Sequence, residues 1–115
     1  MLTPDTIIQE LLEIRRQSEK GVSLLAEAEQ KLIKLELDAE RIEAQALLDN
    51  QGTVVERQAI AKLKSLEARE ASALARVEVN RIKTKLKHLS ESMMAVMHAG
   101  KMVEITYKTA GMGER

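Results

Sequence analysis

Apolar residues recur every three or four positions along most of the chain, the spacing of a helix that buries one side in a coiled coil. Upstream, Ile8 and Leu11 are in phase, whereas Arg15 and Ser18 occupy the next two seam positions. The pattern therefore predicts a first helix whose seam is weakest upstream of Gly21. Eight positions form its clearest stretch: Val22, Leu25, Ala28, Leu32, Leu35, Ala39, Ile42 and Ala46.

Local signals mark where this first helix begins and ends. Thr3 is a good N-cap, Pro4 suits the first helical position, and Asp5 favours the positive end of the helix dipole. The cluster Asp49-Asn50-Gln51-Gly52 combines turn-forming residues. We therefore expect a helix over residues 4–49 and a turn at residues 50–52.

A second helix is predicted immediately after the turn. Thr53 and Glu56 match the capping box, in which each residue satisfies an unpaired backbone donor at the helix start. Two apolar stripes follow, offset by a phase shift near residues 70–77 that is typical of a stutter. The first stripe is Ala59, Leu63, Leu66, Ala73 and Val77, with Glu70 as a polar gap, and the second is Ala75, Val79, Ile82, Leu86, Leu89, Met93, Val96, Gly100, Val103 and Tyr107.

The second stripe passes through Gly100 in register, so we expect the second helix to span about residues 53–108 and to be followed by a tail at residues 109–115. The β-branched segment 103–107 supports a competing interpretation. In that interpretation the helix ends at Gly100 and a short strand follows, which leaves the conformation of residues 101–110 open.

A short turn joins antiparallel neighbours, so the predicted fold is all-α, a single domain over residues 1–115 built as one long antiparallel helical hairpin. A hairpin of this length exposes much of each helix, and many apolar residues lie off the seams. We therefore expect the hairpin to assemble with copies of itself into a homo-oligomeric helical bundle. The candidate oligomer interface comprises Leu24, Leu86, Leu89, Met93, Met94, Val96 and Met97.

Candidate chemistry is sparse. The chain has no Cys, Phe or Trp. Its two imidazoles, His88 and His98, are ten residues apart and point in different directions on a helix. We expect no catalytic residues, no cofactor, no metal and no small-molecule substrate. The sequence lacks the pattern of a signal peptide and any apolar run of roughly 20 residues, which predicts a cytoplasmic protein that does not contact a membrane.

Charge is balanced overall but not along the chain. Residues 1–52 carry 6 basic and 11 acidic side chains, and residues 53–115 carry 12 and 7. If the turn centres near Gln51, residue i lies near residue 102 − i, which brings basic residues of both helices together. Such a cluster can bind phosphates through charge and counterion release, although lysines and arginines on a long exposed helix are also ordinary surface residues. This basic zone comprises Arg15, Arg16, Lys20, Arg81, Lys83, Lys85 and Lys87.

The segment Gly52-Thr53-Val54-Val55-Glu56-Arg57-Gln58-Ala59, between an amphipathic helix and a second charged helix, resembles small helical proteins of tailed bacteriophages and prophages. Proteins of that group are often encoded near recombination genes. The resemblance implies a viral origin, a location in the host cytoplasm and an accessory role in DNA metabolism.

Two functions follow as hypotheses. In the first, the chain is a non-enzymatic phage-type accessory protein that binds DNA through the basic zone during recombination or processing. In the second, it is a structural or adaptor coiled coil whose exposed apolar face binds another protein, for example another phage protein. Binding to a labelled oligonucleotide with a steep salt dependence would distinguish the first from the second.

Overall fold

The computed structural model describes residues 3–113, and side chains at residues 3–110. It contains helix α1, Pro4–Asp49, and helix α2, Val54–Gly113, and no strand occurs within residues 3–113. The two helices run antiparallel, which confirms the predicted all-α helical hairpin.

The start of α1 is held by two threonines. The Thr6 amide donates to Thr3 Oγ1 at 3.2 Å, and the Thr3 amide donates to Thr6 Oγ1 at 2.8 Å. Each hydroxyl therefore satisfies a backbone donor that the first helical turn cannot pair. Thr3 acts as the N-cap that the sequence predicts, and Thr6 supplies the reciprocal bond.

The turn between the helices is closed by side chains from both of its ends. Gly52 has a φ of +123°, which favours glycine over any other residue. The Asn50 side-chain amide donates to the carbonyl of Ala46 at 2.6 Å. Arg57 Nε and Nη2 donate to the carbonyl of Leu47 at 3.1 and 2.8 Å. These bonds satisfy carbonyls in the last turn of α1, which the helix itself leaves unpaired.

The carboxyl end of α2 extends beyond its predicted limit. Residues 101–110 are helical, so the strand interpretation of residues 103–107 is wrong. Thr106 Oγ1 donates to the carbonyl of Met102 at 3.0 Å, so the hydroxyl of this β-branched residue has a hydrogen-bond partner within the helix. Gly100 does not end the helix, and a Cβ there would lie 3.3 Å from Ile7 Cγ2. Within the predicted tail, residues 114–115 lie outside the described residues.

The hairpin contains two compact units, and each includes a stretch of both helices. Unit 1 comprises residues Met1–Ser23 and Lys83–Arg115, and unit 2 comprises residues Leu24–Ile82. Within each unit α1 packs against α2, and the side chains in this helix contact differ between the two units. Large apolar residues such as Leu86 and Met93 are half-buried in unit 1, whereas alanine and serine dominate the buried positions of unit 2.

Along α1 one set of buried and half-buried positions recurs at alternating spacings of four and three residues without interruption. Ile8, Arg15 and Val22, which the sequence pattern places on the seam, are exposed, each one residue beyond a seam position. The prediction was wrong there because it counted two successive spacings of three from Val22 to Ala28, which rotates the stripe off the contact. The observed seam is Ile7, Leu11, Ile14, Ser18, Gly21, Leu25, Ala28, Leu32, Leu35, Ala39, Ile42 and Ala46.

Along α2 the same alternation runs without a phase shift. The predicted stripe from Ala59 to Val77 is exposed, and so is Tyr107, so the stutter at residues 70–77 does not exist. The prediction was wrong because it followed large apolar residues, whereas the seam of α2 from Ala61 to Ala75 consists of alanine and serine. The observed seam is Ala61, Ser65, Ala68, Ser72, Ala75, Val79, Ile82, Leu86, Leu89, Met93, Val96, Gly100 and Val103.

Small residues determine how the helices of unit 2 pack. Ala61 and Ser65 are fully buried, and Ala39 and Ala46 nearly so. The Ser65 hydroxyl donates to the carbonyl of Lys62 at 3.3 Å, so this buried polar group has a partner. Side chains this small allow helix axes to approach to roughly 8 Å, the lower end of the usual range. Three large apolar residues of α2 lie on the outside of the pair: Leu63, Leu66 and Val77.

Candidate interaction surfaces

The register in unit 1 differs from the one expected from the turn. Cβ positions at Gly100 and Gly21 would contact Ile7 and Leu86 respectively, so the numbers of facing residues add up to 107 in both places. The expected sum was 102. The five-residue shift places Arg15 and Arg16 at the level of residues 91–92 rather than 86–87, and Lys20 at the level of Lys87.

The arginines of the basic zone are paired with acids along their own helices. Arg15 Nε lies 3.3 Å from Glu19 Oε1, and Arg16 forms an ion pair with Glu13. In unit 2, Arg81 Nη2 lies 2.9 Å from a carboxylate oxygen of the nearby residue 78. Lys83 also has an interaction partner. Much of the positive charge of the predicted zone is therefore balanced locally.

The Glu13 carboxylate shows the effect of this local pairing on acidity. Gln17 Nε2 donates to Glu13 Oε1 at 3.0 Å, and the Arg16 guanidinium lies beside the same carboxylate. The hydrogen bond from Gln17, and then the charge and hydrogen bond of Arg16, hold the pKa of Glu13 below its ordinary value. Glu13 therefore stays ionised and opposes phosphate binding at Arg16.

Three lysines of the zone, Lys20, Lys85 and Lys87, are exposed, and none of them makes an ion pair within residues 3–110. All three belong to unit 1. Arg81 belongs to unit 2. The predicted zone of seven residues thus reduces to three lysines without ion pairs, Lys20, Lys85 and Lys87, which are called the lysine cluster below.

The residues proposed for the oligomer interface separate into two groups. Leu86, Leu89, Met93 and Val96 are half-buried on the α2 seam, where they pack inside the hairpin of unit 1. The other group is exposed and available to a partner: Leu24, Met94 and Met97.

Unit 2 carries two exposed apolar stripes, one on each helix, at coiled-coil spacings and away from the seam. The α1 outer stripe is Ala26, Ile33, Leu37, Ala44 and Leu48. The α2 outer stripe is Ala59, Leu63, Leu66, Ala73 and Val77. The sequence pattern had identified the α2 outer stripe as internal, so its spacing was detected correctly and its location was not.

The two helical stretches of unit 2 carry opposite charge. Residues 24–49 have seven acidic and three basic side chains, a net charge of −4, and residues 54–82 have four acidic and six basic side chains, a net charge of +2. Glu36 and Arg76 form an ion pair from one helix to the other. The charge difference between the two halves of the sequence therefore acts within the hairpin, where it favours antiparallel pairing of unlike helices.

Other kinds of site have little support among residues 3–110. No group of three or more His, Asp or Glu side chains in this described part could hold a metal ion. Neither α1 nor α2, as far as the structure describes them, contains an apolar stretch of the length that a bilayer-spanning helix requires.

No protein-family model matches the chain, and neither a curated protein nor a solved structure matches it.

Proposed function

We propose that this chain is a non-enzymatic assembly protein whose outer stripes in unit 2 bind amphipathic helices of a protein partner. The observation that carries the proposal is the exposure of large apolar side chains at regular coiled-coil spacing. Leu63, Leu66 and Val77 on α2 are 73%, 51% and 64% exposed. Single exposed leucines are ordinary on protein surfaces, whereas a repeating stripe is typical of a helix that packs against another helix.

The apolar area at stake is large enough to support association. Fully burying one Val, Leu or Ile side chain contributes about 1.5–3 kcal/mol, so a side chain that is already partly buried contributes about 1–2 kcal/mol more. Six such residues, three on each outer stripe, would contribute on the order of 6–12 kcal/mol, which is comparable with the cost of about 4–15 kcal/mol for bringing two molecules together. The stripes therefore favour binding to a second helical surface.

Photo-crosslinking tests this proposal directly. A photoreactive amino acid at Leu66, on the α2 outer stripe, should give covalent adducts with protein when the full chain is irradiated in the cells that produce it. The same amino acid at the exposed Lys64 is the matched control, because Lys64 lies two residues away on a different side of α2. We expect several-fold more adduct from position 66. Equal yields, or no protein adduct from position 66, would contradict the proposal.

Nucleic-acid binding is a second candidate, as an accessory role in phage DNA processing, and the lysine cluster favours it. Lys20 and Lys87 lie at the same level of the unit 1 hairpin, whereas Lys85, two residues from Lys87, lies on a different side of α2. Three lysines without ion pairs can contact phosphates with release of counterions. The acids beside Arg15 and Arg16 weaken this candidate, because they repel the nucleic-acid backbone.

Under this second candidate, a labelled oligonucleotide should bind the full chain and dissociate as salt rises. With three phosphate contacts to a single strand, the slope of log K against log salt should be about −2. Replacing Lys85 and Lys87 by Glu should abolish binding and leave the helical circular dichroism unchanged. Replacing Lys62 and Lys64 by Glu, in unit 2, is the matched control. Unchanged affinity in the first variant would show that the lysine cluster is not the binding site.

A further inference from the structure

The two outer stripes of unit 2 also indicate who the partner is. We infer that the α1 outer stripe of one copy packs against the α2 outer stripe of a second copy of this chain. This inference rests on the proposed function, because it names the partner that the same surfaces bind. The inferred contact joins unlike helices, α1 of one copy with α2 of the other, rather than α1 with α1 or α2 with α2.

Charge is the first reason for pairing unlike helices. Placing two α1 stretches of unit 2 side by side brings a net charge of −4 against another −4, and placing two α2 stretches together brings +2 against +2. Pairing α1 with α2 brings −4 against +2. Like charges across an interface disfavour a pairing and complementary charges favour it, so electrostatics selects the unlike pair.

Matching geometry is the second reason. The α1 outer stripe spans residues 26–48, roughly 33 Å of helix, and the α2 outer stripe spans residues 59–77, roughly 27 Å. Each stripe consists of exposed residues at spacings of 3, 4 or 7. The α1 outer stripe is interrupted twice, at Gln30 and Glu40, and the α2 outer stripe once, at Glu70. Two stripes of similar length and spacing can interdigitate along most of that length as coiled-coil helices do.

The hairpin itself provides a precedent for this pairing. Within unit 2, α1 already packs against α2, with Glu36 and Arg76 forming an ion pair between them. The inferred contact repeats that combination of an acidic and a basic helix with the second copy. Because each copy presents one stripe of each kind, two copies form a closed two-fold dimer when both stripes of one copy meet both stripes of the other. When only one stripe of each copy is used in a contact, the contact is heterologous and continues from copy to copy until a ring closes or a filament forms.

Cysteine crosslinking of mixed variants tests this inference. The chain has no cysteine, so each variant carries a single thiol. Leu37→Cys on the α1 outer stripe would be mixed in equal amounts with a variant on the α2 outer stripe, in separate experiments Ala59→Cys, Leu66→Cys and Ala73→Cys. One member of each mixture is labelled with ¹⁵N. A short flexible bismaleimide then links neighbouring copies, and mass spectrometry identifies which chains are joined.

We expect the mixture to give labelled-to-unlabelled dimers several-fold in excess of the dimers from either variant alone, for at least one of the three α2 positions. Lys31→Cys mixed with Lys64→Cys is the matched control, since both positions are exposed and lie off the outer stripes. That control should give no such excess. Dimers that form as readily from each variant alone would overturn the inference, because they require like stripes to meet.

The inference and the proposed function fail in different ways. A chain that sediments as a monomer at every concentration overturns the inference. If Leu66 nevertheless crosslinks to a different protein in cells, the proposed function stands without self-assembly. If neither self-association nor any protein adduct is found, both are overturned.

Discussion

Replacing Ala61 by Leu is expected to lower the free energy of unfolding by about 2–3 kcal/mol, because the larger side chain cannot fit between closely packed helices. Ala61 is fully buried on the seam of unit 2. Helix propensity cannot cause this loss, because alanine and leucine are both good helix formers and their propensities differ little. The loss comes from steric overlap at the helix contact. Thermal unfolding followed by circular dichroism should show a midpoint lower by on the order of 10 °C.

Ala59→Leu is the matched control, because Ala59 lies two residues away and is exposed. The same change of volume there should leave the midpoint unchanged or raise it by enlarging the α2 outer stripe. Both variants are compared at one protein concentration, since association shifts the midpoint by mass action. Equal losses at the two positions would show that close approach of the helices does not determine the stability of unit 2.

Replacing Val79 by Asp is expected to have the largest effect on the hairpin, a loss of about 3 kcal/mol or more. Val79 is 3% exposed on the α2 seam. A carboxylate there would be buried without a partner, which costs more than the apolar contacts that it replaces. The helical circular dichroism signal should fall at temperatures where the parent chain is fully folded.

Val77→Asp distinguishes the seam from the outer stripe. Val77 lies two residues from Val79, has the same side chain and is 64% exposed. This variant should keep its helical signal and sediment as smaller particles than the parent chain, because it places a charge on the α2 outer stripe. If instead Val77→Asp unfolds the chain and Val79→Asp does not, the observed seam of α2 is wrong and the stripe predicted from the sequence is right.

The contrast between Val77 and Val79 also shows how far sequence reasoning reached. Regular spacing of apolar residues identified both helices, since a helix that buries one side needs an apolar residue at every turn. Thr3, Pro4 and the turn cluster marked the start of α1 and its end at Asp49 because capping depends on local backbone donors and acceptors. Helix formation, capping and turn formation each depend on residues that are close in sequence, so they can be predicted from the sequence alone.

The choice of seam on α2 could not be made in the same way. The part of α2 in unit 2 carries two sets of residues at helical spacing. One is the seam of small residues around Ala61 and Ser65, and the other is the α2 outer stripe of larger residues around Leu63 and Leu66. The size of the apolar side chains favours burial of the outer stripe. Close approach of the two helices favours burial of the seam of small residues, because a small side chain loses little apolar area and permits many contacts between the backbones. That preference exists only when the second helix is present.

The candidate site shows the same limit. The basic zone was inferred from a register of 102 − i, which assumes that pairing runs symmetrically away from the turn at Gln51. The contacts of Gly21 and Gly100 give 107 instead. Arg57 also reaches back to the carbonyl of Leu47, ten residues earlier, and no periodic pattern signals a bond of that kind.

The sequence by itself determined that this protein is an antiparallel hairpin of two long helices, because helix periodicity, capping and turn formation are local properties of the chain. Only the tertiary structure decided which stripe each helix buries, which residues face one another and which apolar surfaces remain exposed. The physical reason is that burial belongs to a pair of surfaces. A stripe becomes interior or exterior only when the partner helix has taken its place.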